Sequence, residues 1–171
     1  MAGGLRRPTL GILEPSVVPM RVWPSDIDLN IHMNNGRYLS LMDLGRLDLM
    51  VRTGMWKAVA RQGWRPMIGS ATVRFRRPLP LFARFDLRSA VVCWDAKWFF
   101  MEQRFIRDGL AYGVGLVKGL FRMGDRNVPP AEVLAAIGRL QLSPPPPPGI
   151  SDWLAAEGKL AQNVRNHKHR R

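Results

Sequence analysis

Residues 36–53 read GRYLSLMDLGRLDLMVRT, and this stretch decides the architecture. Leu39, Leu41, Met42, Leu44, Leu47, Leu49, Met50 and Val51 cover most of the circumference of a helix rather than one stripe. A helix apolar nearly all round is enclosed by protein, so this one is expected at the centre of a domain. Asn34 or Asn35 offers a capping side chain at its start, and Gly54 a stop at its end. A short second helix is expected over residues 55–62, before Gly63.

Four strand-like stretches follow with no comparable helix between them. Ala71, Val73 and Phe75 alternate with Thr72, Arg74 and Arg76, a period of two. Pro78 and Pro80 mark a turn, and residues 85–94 make the next strand. Asp95-Ala96 turns into a strand over 98–107, and Asp108-Gly109 is a hairpin signal leading into 110–122. Consecutive strands joined by turns predict an antiparallel meander. Upstream, residues 17–23 read as a strand ended by Pro24-Ser25-Asp26, and residues 1–16 as an extended arm. One buried helix with such a sheet gives an α+β domain over residues 1–130, the sheet wrapped around the helix.

Residues 131–171 read as a C-terminal helical extension. It comprises a short amphipathic helix from Pro129 to about Leu140, a stiff spacer of five prolines from Pro144 to Pro148, and a helix over 151–164. A frayed basic tail runs from Arg165 to Arg171.

Composition excludes several classes. With 46% hydrophobic residues the chain can bury a core, which argues against wholesale disorder. No apolar run approaches the roughly 18 residues of a membrane span. Pro8, Gly11, Glu14 and Pro15 interrupt any secretory apolar region. The single cysteine, Cys93, leaves no intrachain disulfide framework, and in Ala90–Trp94 it reads as a small buried hydrophobe. His167 and His169 lie in the tail, so no metal and no cofactor is expected. Together these features predict a cytoplasmic protein. The net charge is +13, most of it before residue 131. Such a field attracts phosphorylated small molecules, acidic carrier proteins, nucleic acid or anionic lipid. A solvated arginine-rich surface accounts for it equally well. Only charge speaks for nucleic acid, so no specific nucleic-acid partner is expected. The basic tail is expected to make at most weak contact with anionic membrane.

The chemistry is concentrated just before the central helix, in Asp26-Ile27-Asp28-Leu29-Asn30-Ile31-His32-Met33-Asn34-Asn35-Gly36-Arg37-Tyr38. Polar groups beside a core cost stability unless they are satisfied. Capping the helix needs one or two of them, and this segment carries far more. Asp26, Asn34 and Asn35 taken singly read as capping residues. An aspartate is ionised at neutral pH, and a helix N-terminus beside it stabilises the anion. A histidine can serve either as base or as donor to developing charge.

The pattern Asp26-x-Asp28, then Tyr38, then Asp43-x-x-Arg46 resembles the 4-hydroxybenzoyl-CoA thioesterase branch of the hotdog superfamily. The fuller string Asp28-x-Asn30-x-His32-x-Asn34-Asn35-x-x-Tyr38 is similar to the signature of acyl-carrier-protein thioesterases and their acyl-CoA relatives. The resemblance covers about residues 15–126 and implies a hotdog fold. It implies Asp28 as the catalytic carboxylate, either attacking the thioester carbonyl or activating water, with Asn30 and His32 in the catalytic group. The backbone N–H groups near Asn35 and Gly36 would then form an oxyanion hole, with Gly36 allowing close approach of the ligand. Tyr38 joins the substrate-binding set, although packing explains it as readily, and Asp43 with Arg46 reads as an ordinary ion pair. The substrate implied is an acyl-CoA or an acyl-carrier-protein thioester, and Arg74, Arg76 and Arg77 are candidate contacts to CoA phosphates or a carrier. The assembly implied is a homodimer or a tetramer with its site at the subunit interface. No Asp or Glu lies between Asp48 and Asp86, so a second acid, if required, falls to Asp43 or Asp48. A non-catalytic protein that holds acyl thioesters or binds anionic membrane is the rival reading. A hydratase on the same carriers would need an acid–base motif that is not found.

Overall fold

The computed structural model describes residues 9–168. The chain runs β1 (Ser16–Arg21), a 3-10 turn (Pro24–Asp26), α1 (Asn35–Thr53), α2 (Met55–Gln62), β2 (Arg65–Phe75), β3 (Arg84–Trp94), β4 (Phe99–Arg107), β5 (Leu110–Met123), β6 (Arg126–Val128), α3 (Pro130–Ala136) and α4 (Pro148–Lys168). Asn34 caps α1, its side chain accepting the Gly36 N–H at 2.7 Å. Gly54 ends the helix in the left-handed region, at φ 86°.

The strands form one antiparallel sheet in the order β1-β3-β4-β5-β2, with β6 paired to β5. The meander therefore holds for β3, β4 and β5 but not for β2, which pairs with β5 at the far edge. The reason lies in residues 76–83. These residues join β2 to β3 by crossing the end of the sheet rather than by a tight hairpin turn. Leu79 accepts the Met33 N–H and Ala83 the Val22 N–H, which ties the crossing to both flanking loops. β2 also starts at Arg65, earlier than the alternation shows, because its register shifts between Ile68 and Ser70 and breaks the period there.

α1 lies across the inner face of the sheet. Its Gly45 is the point of closest approach: a Cβ there would come within 2.5 Å of Ser89 Oγ and 2.9 Å of Gln103 Nε2. One end of the core gathers Tyr38, Leu41, Met42, Leu79, Phe85, Leu87 and Phe105, and the other Leu49, Val59, Trp64, Phe99, Phe121 and Val133. Between them Gln103, fully buried, donates to Met42 O at 2.9 Å and Ser89 Oγ at 2.8 Å. It accepts from Arg46 at 2.8 Å. The expectation of a helix enclosed on all sides needs correction. Leu44, Leu47 and Val51 form an exposed stripe on α1, since the sheet of one chain covers only one side of it.

The boundary drawn at residue 130 cuts through packed structure. Val133 and Leu134 of α3 belong to the main core. α4 extends beyond both expected ends, and Ile150, Trp153 and Leu154 pack on Cys93, Phe100 and Trp98 of the outer sheet face. Ser143 accepts the Trp94 N–H at 2.8 Å, and Lys118 pairs with Glu157. Cys93 is buried as expected, and burial together with Asp95 pushes its thiol pKa up. α4 runs to Lys168, into the basic tail expected over Arg165–Arg171. Residues 169–171, like residues 1–8 of the N-terminal arm, lie outside the described residues.

Candidate active site

The loop before α1 is held by Asp26. Its buried carboxylate accepts the Trp23 N–H at 2.9 Å on one oxygen and Arg37 Nε at 2.8 Å on the other. Asn34 N–H donates to Asp26 O at 2.8 Å. Asp26 is thus the clamp that fixes the loop to the helix.

On that frame residues 28–32 make a tight turn. Ile31 N–H donates to Asp28 O at 3.0 Å and Asp28 N–H to His32 O at 3.1 Å, with Ile31 at φ 61°. Asp28 Oδ1 accepts the Asn30 N–H at 2.8 Å and lies 3.9 Å from His32 Nδ1. The second distance exceeds a hydrogen bond, so the two side chains are neighbours without one. His32 Nδ1 also lies 3.4 Å from Met33 O. Both contacts involve Nδ1, and Nε2 has no partner among the described residues.

His32 lines a depression of about 270 Å³ together with Met33, Asn35, Tyr38, Phe75, Arg76, Arg77 and Pro78. Tyr38 is wedged between Phe75 and Phe105, with ring centroids 4.9 and 4.7 Å away. Burial pushes its pKa up to about 12, so its hydroxyl remains a donor at all physiological pH. The predicted set is therefore brought together in part. His32, Asn35, Tyr38, Arg76 and Arg77 share the depression, with Asp28 beside His32. Asn30 contributes its main-chain N–H to Asp28 and stands exposed at the turn. Arg74 lies on β2 outside the depression.

The paired oxyanion donors require a correction. The Gly36 N–H is already taken by the Asn34 side chain, and the Gly36 Cβ position lies 3.1 Å from that same oxygen. Glycine here admits the cap, not a ligand. The Asn35 N–H makes no hydrogen bond among the described residues and is the open donor of the first turn.

Neither acid of α1 reaches Asp28 within one chain. Asp43 pairs with Arg46, and Asp48 lies beside Ser16 and Arg52. Asp43 is eight residues past Asn35, about 12 Å along the helix. Burial lowers the Arg46 pKa, and Asp43 opposes that shift.

A second cavity escaped the sequence reading. It measures about 220 Å³ and lies between the last turns of α1, α2 and the start of β2, lined by Met50, Met55, Trp56, Met67, Ile68 and Met101 with Asp43 and Arg46 at one side. Its methionines are scattered along the chain, so nothing local marks them as a group. Among the described residues no three His, Cys, Asp or Glu gather as metal ligands, and no helix is long and apolar enough to cross a membrane.

A curled antiparallel sheet around one helix, with a polar loop at the helix start, defines the hotdog class. Residues 22–154 match the model of the thioesterase-like superfamily, and the chain belongs to that family. It is 33% identical over 146 residues to the protein THEM6 of Xenopus laevis, covering 84% of this chain and 69% of that protein. It is 38% identical over 124 residues to THEM6 of Danio rerio, covering 71% of this chain and 61% of that protein. Among solved structures, that of the gentisyl-coenzyme A thioesterase BH1999 superposes with a TM-score of 0.62 at 22% identity, over 72% of this chain and all of that one.

Proposed function

We propose that this chain hydrolyses an acyl thioester with water, using the Asp28–His32 pair as the base. The observation that carries this reading is the convergence at one helix start of that pair, the open Asn35 N–H and the protonated Tyr38 hydroxyl. Water held against His32 Nε2 attacks the carbonyl carbon and passes its proton to the imidazole. Asp28 stabilises the imidazolium that results. The Asn35 N–H and Tyr38 hydroxyl receive the developing oxyanion. On collapse the C–S bond breaks, and His32 returns the proton to the departing thiolate. Arg76 and Arg77 at the rim would meet the phosphates of a CoA or of a carrier protein's pantetheine arm.

The functional unit we propose is a homodimer. β2 is an edge strand of 11 residues, exposed or half-buried throughout, and an uncovered edge of that length invites pairing. The stripe Leu44, Leu47 and Val51 on α1 is uncovered as well. Pairing β2 antiparallel with its copy would set the Met67–Ile68 end of one strand beside the Phe75 end of the other. The methionine-lined cavity of one subunit would then open toward the His32 depression of its partner and take the acyl group. α4 occupies part of the outer sheet face, which speaks for a dimer over a tetramer stacked through that face.

The test is a panel of aliphatic and aromatic acyl-CoA and acyl-carrier thioesters with the wild type and Asp28→Asn. Turnover lost in the variant supports hydrolysis at this site, and no turnover across the panel leaves a binding protein. A single turnover in ¹⁸O water adds to this, because label in the Asp28 carboxylate can arise only from an Asp28 anhydride opened at its aspartyl carbon, whereas water attacking the thioester labels the product alone.

A further inference from the structure

We infer that the chain docks on anionic lipid bilayers through an apolar rim beside the His32 depression, made of Trp23, Leu29, Ile31, Leu81 and Phe82. Leu29 is fully exposed, Ile31 is 73% exposed, Trp23 52% and Phe82 48%. Two short backbone links join these residues into one surface. His32 bridges to Pro80, and the Phe82 N–H donates to Val22 O at 2.9 Å. The Trp23 and Phe82 rings meet edge to face at 6.4 Å, and the Arg21 guanidinium lies 5.6 Å from each.

Ordinary surface residues do not account for this rim. Ile31 and Phe82 both stand at positive φ, 61° and 60°, a region that β-branched and bulky side chains avoid. The fold therefore holds two large apolar side chains outward at a conformational cost. Arginines flank the rim on both sides. Arg21 and Arg84 face each other directly in the β1–β3 register, and of the carboxylates in the depression they line, Asp26 and Asp108 pair with Arg37 and Arg107, which leaves two arginines beside Asp86 alone. Arg76 and Arg77 stand on the other flank beside His32. Arg76, Arg77 and Arg84 form no ion pair among the described residues. An aromatic and aliphatic centre between cationic flanks matches an interfacial site, where rings sit at headgroup depth and arginines meet phosphates. The proposed dimer does not compete for Trp23 and Phe82, because they flank β1 and β3, at the sheet edge opposite β2. An acidic carrier protein could also meet the arginines, but it leaves a fully exposed Leu29 and the strained Ile31 without purpose.

The test is co-sedimentation of the full chain with vesicles of phosphatidylcholine alone and of phosphatidylcholine mixed with phosphatidylglycerol. The wild type should bind the mixed vesicles and release them as salt rises. Trp23→Ser/Phe82→Asn should lose at least about tenfold in partitioning, with hydrolysis of a soluble short-chain thioester unchanged. Asn tolerates the Phe82 backbone, so this variant is expected to fold, and its melting curve checks that. Arg21→Gln/Arg84→Gln should reduce the preference for anionic vesicles. Equal binding by wild type and variants overturns the proposal. So does binding to neither vesicle, displacement by millimolar glycerol phosphate alone, or capture of an acidic carrier protein through the same residues without vesicle binding.

Discussion

Asp28 Oδ1 stands 3.9 Å from His32 Nδ1 while accepting the Asn30 N–H at 2.8 Å. The carboxylate is thus tethered through one oxygen and stands beside the imidazole without a hydrogen bond to it. Groups that act as a unit give strongly non-additive losses. Asp28→Asn and His32→Gln should each lower kcat by about 10²–10⁴, and the double variant should fall little further. Steady-state kinetics on one thioester decides this. Additive losses would show that the two residues serve separate steps.

Tyr38 allows a prediction in both activity and pH. Tyr38→Phe removes a donor proposed for the oxyanion and should cost about 10²–10³ in kcat with KM little changed. Its folded pKa, about 12, lies above the unfolded value of 10.0. The stability linked to it is therefore complete below pH 10 and is lost as pH rises through 10 toward 12. The amount is about 2–3 kcal/mol. Alkaline unfolding followed by circular dichroism should move to higher pH in the phenylalanine variant.

Gln103 joins the helix to the sheet at three points and is fully buried. Gln103→Leu leaves Arg46 and Ser89 without this partner in the core. A loss of about 2–4 kcal/mol is expected, measured by urea unfolding. Gly45→Ala places a methyl group against the same Gln103 amide, so it should cost about 1–3 kcal/mol.

Ile68 sits on the open edge strand and lines the methionine cavity. Ile68→Lys should halve the mass seen by light scattering and lower kcat/KM for apolar acyl groups at least about tenfold. A monomeric wild type that still turns over would sink the proposed dimer.

The helices and most strands could be read from sequence because their signals are local. Asn34 and Gly54 bracket α1 within one turn of its ends, and Asp108-Gly109 turns β4 into β5. Asp28, His32 and Tyr38 could be singled out as candidates because they lie within eleven residues of one another. What was missed is non-local or masked. The Gly69 irregularity hid the start of β2, and β6 is too short to show a period. The Asn34 side chain accepts the Gly36 N–H, a competition between two uses of one donor that composition does not reveal.

By itself the sequence determined the central helix, the α+β class and the polar loop that starts the helix, since periodicity and capping act over a few residues. Only the tertiary structure decided that β2 leaves the meander for the far edge, where backbone bonds from Met33 to Leu79 and from Val22 to Ala83 hold the crossing to β3. Only it gathered Arg76, Arg77 and Phe75 against His32 and collected Met50, Met55, Met67 and Met101 into one cavity. Those groupings depend on packing between residues far apart in the chain, and no local pattern encodes which distant surfaces come to face each other.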